Sequence, residues 1–166
     1  TLFRSTKDLP GYAEQSNVVV VDTRTPEEYA AGHVAGAVNI PTADIVINVP
    51  VKNMLTSQKK IEKVMGSNGI SNDTLVLAYD ANKMGASRLL WSLFMFGHQK
   101  VKVVDGGFDA IQTAGIQLST DIEAPAEAVF TAKEPSANWL ATMDEVRVQA
   151  ENPDPHTILL DVRSFE

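Results

Sequence analysis

The sequence predicts an α/β domain built on a parallel sheet, and three observations predict it. Apolar runs at Val18–Val21, Leu75–Tyr79 and Val101–Val104 are each bounded by polar residues, as strands buried on both faces are. Segments with helical starts and stops lie between them, and strands alternating with helices at this spacing give parallel, right-handed crossover units. The third observation is a repeat. Val18 to Asp22, followed by Thr23 and Arg24, returns as Thr157 to Asp161, followed by Val162 and Arg163, with the two aspartates 139 residues apart. Each run follows a similar helix start, Ser5-Thr6-Lys7-Asp8 or Ala141-Thr142-Met143-Asp144. The expected organisation is a first domain over 1–115, a linker over 116–140, and over 141–166 the helix and strand that open a second copy.

After the first strand, Thr25 is placed to cap a helix, Pro26 suits its first position, and Glu27 and Glu28 favour its positive end. This helix ends near Gly32, and Ala37–Ile40 reads as a brief strand before Pro41. From Thr42 to Ser57 the sequence is turn-rich and irregular, and connections of that length commonly face a partner or a ligand. Gln58–Met65 is a short amphipathic helix closed by Gly66–Asn72. A polar loop, Asp80–Gly85, opens onto an apolar helix over Ala86–Phe96, in which Trp91 and its neighbours Leu89, Leu90, Leu93 and Phe94 read as a packed face rather than an aromatic site. The turn Asp105-Gly106-Gly107 leads to a helix over Phe108–Ala114 stopped by Gly115. Residues 116–140 lack periodicity and carry Pro125 and Pro135; a helix over Thr142–Ala150 and a strand over Thr157–Asp161 follow.

Composition bounds the function. A chain of 166 residues, 44% hydrophobic, supports one well-buried core rather than two full domains. The net charge of -7 argues against nucleic acid and anionic membrane surfaces, because phosphate binding needs clustered Lys and Arg. No apolar run approaches the roughly 18 residues of a spanning helix, and no basic region precedes an apolar core at the start, so the chain reads as soluble, without span or signal peptide. Its compartment is not fixed by the sequence, the cytoplasm being favoured over the periplasm, and a start at Thr1 rather than Met reads as a processed, tagged or trimmed product. The absence of cysteine removes disulfides, thiolate metal sites and thiol nucleophiles together.

Ligands of open parallel sheets bind beyond the carboxyl ends of the strands. Here those ends carry Asp22–Pro26, Asp80–Ser87 and Asp105–Gly107. The middle loop joins a buried strand to a helix N-terminus, which favours an anion. Its first residue is itself an acid, and a carboxylate there fills or repels from such a cradle. The loop residues Asp80, Ala81, Asn82, Lys83, Met84 and Gly85, with Arg88, are the candidate site. Asp22 and Arg24 read as a structural ion pair or cap at a strand end. His33 and His98 stand beside glycines without a further ligand at metal-binding spacing, so no metal and no other cofactor is expected.

At three stretches the chain resembles the rhodanese (sulfurtransferase) family: Val19 to Pro41 (VVVDTRTPEEYAAGHVAGAVNIP), Leu75 to His98 (LVLAYDANKMGASRLLWSLFMFGH) and Val103 to Gly115 (VVDGGFDAIQTAG). The resemblance implies a three-layer α/β fold, with a central parallel sheet and helices on both faces, in which Asp22, Arg24, His33, Asp105, Gly106 and Gly107 form the structural motif. In that family a cysteine at the head of the strand-to-helix loop takes sulfane sulfur as a persulfide and passes it to cyanide or a thiol. Tandem members of the thiosulfate and mercaptopyruvate sulfurtransferase type usually carry it in the second domain. This chain is similar to the half that has lost it, with Asp80 at the position of the cysteine. A carboxylate carries no sulfane sulfur, and the missing thiolate also excludes the Cys-dependent phosphatases and arsenate reductases that share the loop design. Asp44 and Asn53 become candidates for a pocket shared with a second domain. Asn53 stands where tandem members often have a histidine.

The resemblance thus implies the non-catalytic first half of a two-domain thiosulfate sulfurtransferase. Its partners would be a second rhodanese domain of the same protein and a small sulfur donor. A stand-alone binding module using the degenerate Asp80 loop is the alternative. A receiver-like domain phosphorylated on Asp22 lacks the acidic pair that Mg²⁺ would need.

Overall fold

The apolar runs are buried on both faces of one sheet, and the pleat sorts them. The computed structural model describes residues 2–13, 15–81, 84–122 and 124–163, which divide into two compact units, 1–135 and 136–166. The first unit begins with β1 (Phe3–Arg4), α1 (Leu9–Ala13), β2 (Val18–Asp22), α2 (Pro26–Ala31), β3 (His33–Val34) and β4 (Val38–Asn39). A hairpin of β5 (Val46–Ile47) and β6 (Met54–Leu55) precedes α3 (Gln58–Ser67), β7 (Leu75–Tyr79) and α4 (Met84–Met95). It closes with β8 (Val101–Val104), α5 (Gly107–Thr113) and β9 (Leu118–Ser119).

Five parallel strands run in the order β1-β8-β7-β2-β4, with Val18 to Asp22 opposite Leu75 to Tyr79. Side chains alternate between the faces of such a sheet. Val21, Val76, Ala78, Val101 and Val103 therefore join one core, with Ile61 and Met65 of α3 and Ala86, Leu89 and Leu93 of α4. Val20, Leu77, Tyr79 and Val104 join the other, with Leu9 of α1 and Ile111 of α5. The result is the α/β fold with a central parallel sheet and helices on both faces. Because all five strands point one way, Asp22, Asp80 and Asp105 emerge at one edge.

Local chemistry starts the helices. Thr25 and Glu28 form a reciprocal capping box, Thr25 Oγ1 accepting from Glu28 N while Glu28 accepts from Thr25 N at 3.0 Å, and Pro26 takes the first turn. Ser57 caps α3 in the same way, accepting from Lys60 N.

Some expectations differ from the structure. The irregular stretch 42–57 contains a 3₁₀ turn, Thr42–Ile45, and the β5–β6 hairpin. The edge strand β1 was not legible, because two residues carry no period. The stretch 116–140 is expected as a linker, yet up to Pro135 it lies on the first unit: β9 pairs with β3, Ala128 N donates to Gly66 O at 2.9 Å, and Phe130 and Ala132 are buried in the core. Apolar residues spaced without a period still fill grooves when the backbone finds partners outside a ladder.

The second unit holds a 3₁₀ turn, Ala137–Trp139, and α6 (Met143–Glu151), capped by the Thr142–Glu145 box. The strand expected over Thr157–Asp161 does not form: these residues are irregular, and Ile158 and Leu160 are 86% and 79% exposed. A strand exists through its neighbours, and this segment pairs with no other strand among the described residues.

Candidate functional site

Asp80 directly follows β7, four residues ahead of the start of α4, and it is buried. Its Oδ2 accepts a hydrogen bond from Ala86 N at 2.9 Å, so the carboxylate itself takes up an amide of the helix's first turn. Its carbonyl accepts from Phe108 N at 2.7 Å. Gly107 makes that approach possible: with φ at +62°, it lies where a Cβ would stand 2.6 Å from the Asp80 carbonyl oxygen. The Asp105-Gly106-Gly107 turn thus fixes the Asp80 loop from the side, while the Asp105 carbonyl accepts from Thr6 Oγ1 at 2.6 Å.

Gly85 holds the loop from the other side. A Cβ there would meet Thr23 Oγ1 at 2.8 Å, Thr42 Oγ1 at 3.0 Å and Asp80 Oδ2 at 3.2 Å, so three oxygens converge on this glycine. Thr23 is anchored through N and Oγ1 to the Tyr79 carbonyl, at 2.9 and 3.0 Å. A cavity of about 660 Å³ opens here, and its walls include the acids Glu27, Glu28, Asp44 and Asp80 as well as Ala81 and Met84. Arg24 also reaches it, but Asp22 holds the guanidinium through Nη2 at 2.6 Å and Nε at 3.0 and 3.1 Å. The Gly32 carbonyl and the face of Phe108, 3.5 Å away, take up the rest of that head. Burial works against the Arg24 charge, but the Asp22 bond and field outweigh it and hold its pKa above the ordinary value.

A second cavity, of about 560 Å³, shares Thr42, Met84 and Gly85 with the first. Asn53 and Arg88 line it, and Arg88 Nη2 donates to the Asn53 carbonyl at 2.7 Å. Asp44 and Asn53, expected in one pocket, thus lie in two adjoining ones. Asn82 and Lys83 fall outside the described residues. His33 is buried away from both cavities: its ring stacks on Tyr29 at 3.7 Å, with Nδ1 2.8 Å from the Tyr29 carbonyl and Nε2 3.1 Å from that of Asp121. His98 packs edge-on against Phe130.

Thr23 and Thr42 lie in the two stretches marked as ligand- or partner-facing, Asp22–Pro26 and Thr42–Ser57, although the sequence does not single them out as wall residues. Trp91 packs against the core, as the apolar helix implies, but it is half-buried and also lines the second cavity beside Arg88, which the sequence does not signal. Chemically the first cavity offers carboxylates and hydroxyls but no thiolate, and no cluster of acids and histidines among the described residues is arranged to hold a metal.

A profile of the rhodanese-like domain matches residues 5–114. The chain belongs to the rhodanese-like family. Among its relatives, a Mycobacterium leprae protein provisionally named a thiosulfate sulfurtransferase is 30% identical over 91% of this chain and 53% of its own. The thiosulfate sulfurtransferase of Gallus gallus is 39% identical over 51% of this chain and 30% of its own. The crystal structure of SseA from Escherichia coli, described among 3-mercaptopyruvate sulfotransferases of rhodanese fold, superposes with a TM-score of 0.83 at 23% identity, covering 92% of this chain and 62% of that one. This rhodanese-like chain spans about half the length of the first curated relative it matches. No helix among the described residues is long and apolar enough to cross a membrane.

Proposed function

We propose that this rhodanese-like chain is the non-catalytic half of a two-domain sulfurtransferase. It would wall the donor pocket of an enzyme whose cysteine lies in a second rhodanese-like domain. The observation that carries the reading is Asp80. The head of the strand-to-helix loop bears a carboxylate bonded to Ala86 N, and the whole chain has no cysteine to hold sulfur. Sulfur transfer needs a group that attacks the donor's outer sulfur, keeps it as a persulfide and gives it up to cyanide or a thiol; a thiolate does both and a carboxylate neither. The relatives' length and the returning Asp-x-Arg support a second domain as the place of that thiolate.

The test is the natural reading frame beyond Glu166. A second rhodanese-like domain with a cysteine at its loop head, whose replacement by alanine abolishes thiocyanate formation, supports the reading. A stop codon directly after Glu166 overturns it in favour of a stand-alone binding module.

A further inference from the structure

The stretch 116–135 lies on the first unit as a strap, and its two ends are held differently. Towards residue 135 it is anchored by the core burial of Phe130 and Ala132 and by Ala128 N on the Gly66 carbonyl. Its N-terminal end is held by the short pairing of β3 with β9 and by Ala35 N, which donates to the Gln117 carbonyl at 3.1 Å. The His33 ring adds a third hold, with Nε2 3.1 Å from the Asp121 carbonyl. Beyond Ile116 this end is thinly packed: Leu118 and Ile122 are 37% and 69% exposed, and a cavity of about 420 Å³ lies between residues 35–38 and the strap.

The His33 ring is placed between two acceptors. It is 1% exposed, and both nitrogens face carbonyl oxygens, which cannot donate: Nδ1 meets that of Tyr29 at 2.8 Å while Nε2 meets that of Asp121. A neutral imidazole carries one N–H, so one of these contacts would set lone pair against lone pair in a buried place, where an unmade hydrogen bond costs most. Only the imidazolium donates to both. The Tyr29 ring, stacked on the imidazole at 3.7 Å with the planes 11° apart, offers its electron-rich face to that charge. The other charged and titratable groups around the ring are already engaged. Arg24 Nη2 donates to the Gly32 carbonyl, one residue before His33, and is paired with Asp22. Tyr79 Oη accepts from Val34 N, one residue after, and Tyr29 Oη donates to the Ala37 carbonyl. Asp121 belongs to the strap itself.

We propose that His33 is a proton-operated clasp: the doubly protonated ring fastens the N-terminal end of the strap to α2 and β3, and loss of one proton releases the Asp121 contact. Histidine suits such a device, because its charge ordinarily changes between about pH 5 and 8. A proton that the folded arrangement favours makes the clasp tight on the acid side and loose as the pH rises through the ring's titration. The far end of the strap stays in the core, so release is local. The clasp does not depend on the sulfurtransferase reading.

The test labels the three histidines of the 166-residue chain with ¹⁵N and follows their ring nitrogens by NMR, H98Q and H156Q leaving His33 assigned by elimination. Both His33 nitrogens should carry protons at mildly acid pH, and one proton should leave as the pH rises. Hydrogen exchange at the Ala35 amide and at the amides of residues 118–121, corrected for the intrinsic pH dependence of exchange, should quicken over the same interval. The expected change is about ten- to hundredfold, the worth of one hydrogen bond to a charged group. The amides of Val20 and Leu77, opposite each other in the middle of the sheet, should not follow. In H33Q the strap should exchange at one corrected rate across that interval. A His33 ring that keeps an unprotonated nitrogen at every pH where the chain is folded overturns the clasp. So does strap exchange that ignores the ring's titration, or a folded H33Q that keeps the parent's pH dependence. Where H33Q fails to fold, the coincidence of the two curves in the parent chain decides.

Discussion

Two stretches of this chain make the same side-chain fork in opposite surroundings. In both, the arginine Nε reaches both oxygens of the aspartate two residues before it, at 3.0 and 3.1 Å for Arg24 and at 2.9 Å twice for Arg163. In both, the arginine backbone N–H also donates to that aspartate, at 2.9 and 3.0 Å. Yet the Arg24 and Asp22 side chains are 6% and 0% exposed, and those of Arg163 and Asp161 are 85% and 59% exposed. The tripeptide alone dictates the fork; the sheet decides what it is worth. Asp22 ends a strand paired on both sides, whereas Asp161 follows an apolar run that pairs with no strand among the described residues.

The largest expected effect breaks the buried fork. Asp22→Ala leaves the Arg24 charge buried and unpaired, and should lower the unfolding free energy of the first unit by about 3–5 kcal/mol in urea titrations. A shift as small as that of a surface substitution would show that the two forks are energetically alike.

Phe130→Ala sharpens the comparison by marking where the completed domain ends. If residues 116–135 belong to its core, removing this buried ring costs about 3 kcal/mol. A linker would leave the urea midpoint unchanged.

The completed domain should also answer to pH through a buried group. Burial, ahead of all other influences, holds the pKa of His98 below its ordinary value. The unfolded chain then takes up the proton first, so this contribution is present above about pH 6.5 and is lost as the pH falls below it. Urea midpoints at neutral and mildly acid pH should differ more for the parent than for His98→Gln; equal differences would remove His98 from the account.

The smallest effect lies at the open fork. Asp161→Ala should leave thermal unfolding unchanged. In NMR titration the Asp161 carboxylate, held below its usual range by the hydrogen bond from Arg163, should return toward it in Arg163→Gln. Any loss of stability with Asp161→Ala would mean that the second unit is already packed around its fork.

What the sequence revealed follows the same division. Features carried by neighbouring residues were legible: the Thr25 cap, the helix start near Thr142, the double-faced valine run, the Gly-Gly turn and the acid at the loop head. Features made by distant partners were not. Trp91 lies in an apolar helix and nothing local marks it as a cavity wall, since the other walls include the distant Thr42, Val46 and Asn53. Phe130 sits in an aperiodic stretch and is buried through a core that distant residues of the sheet, α3 and α4 complete. The strand expected at Thr157–Asp161 shows the converse: residues suited to a strand form none without partners.

The most direct test of the central claim, that this domain does not itself carry sulfur, is the thiosulfate:cyanide assay on the purified 166-residue chain. The account predicts no thiocyanate above the buffer blank, because Asp80 occupies the loop head and no thiolate exists. Turnover that survives repurification would contradict it.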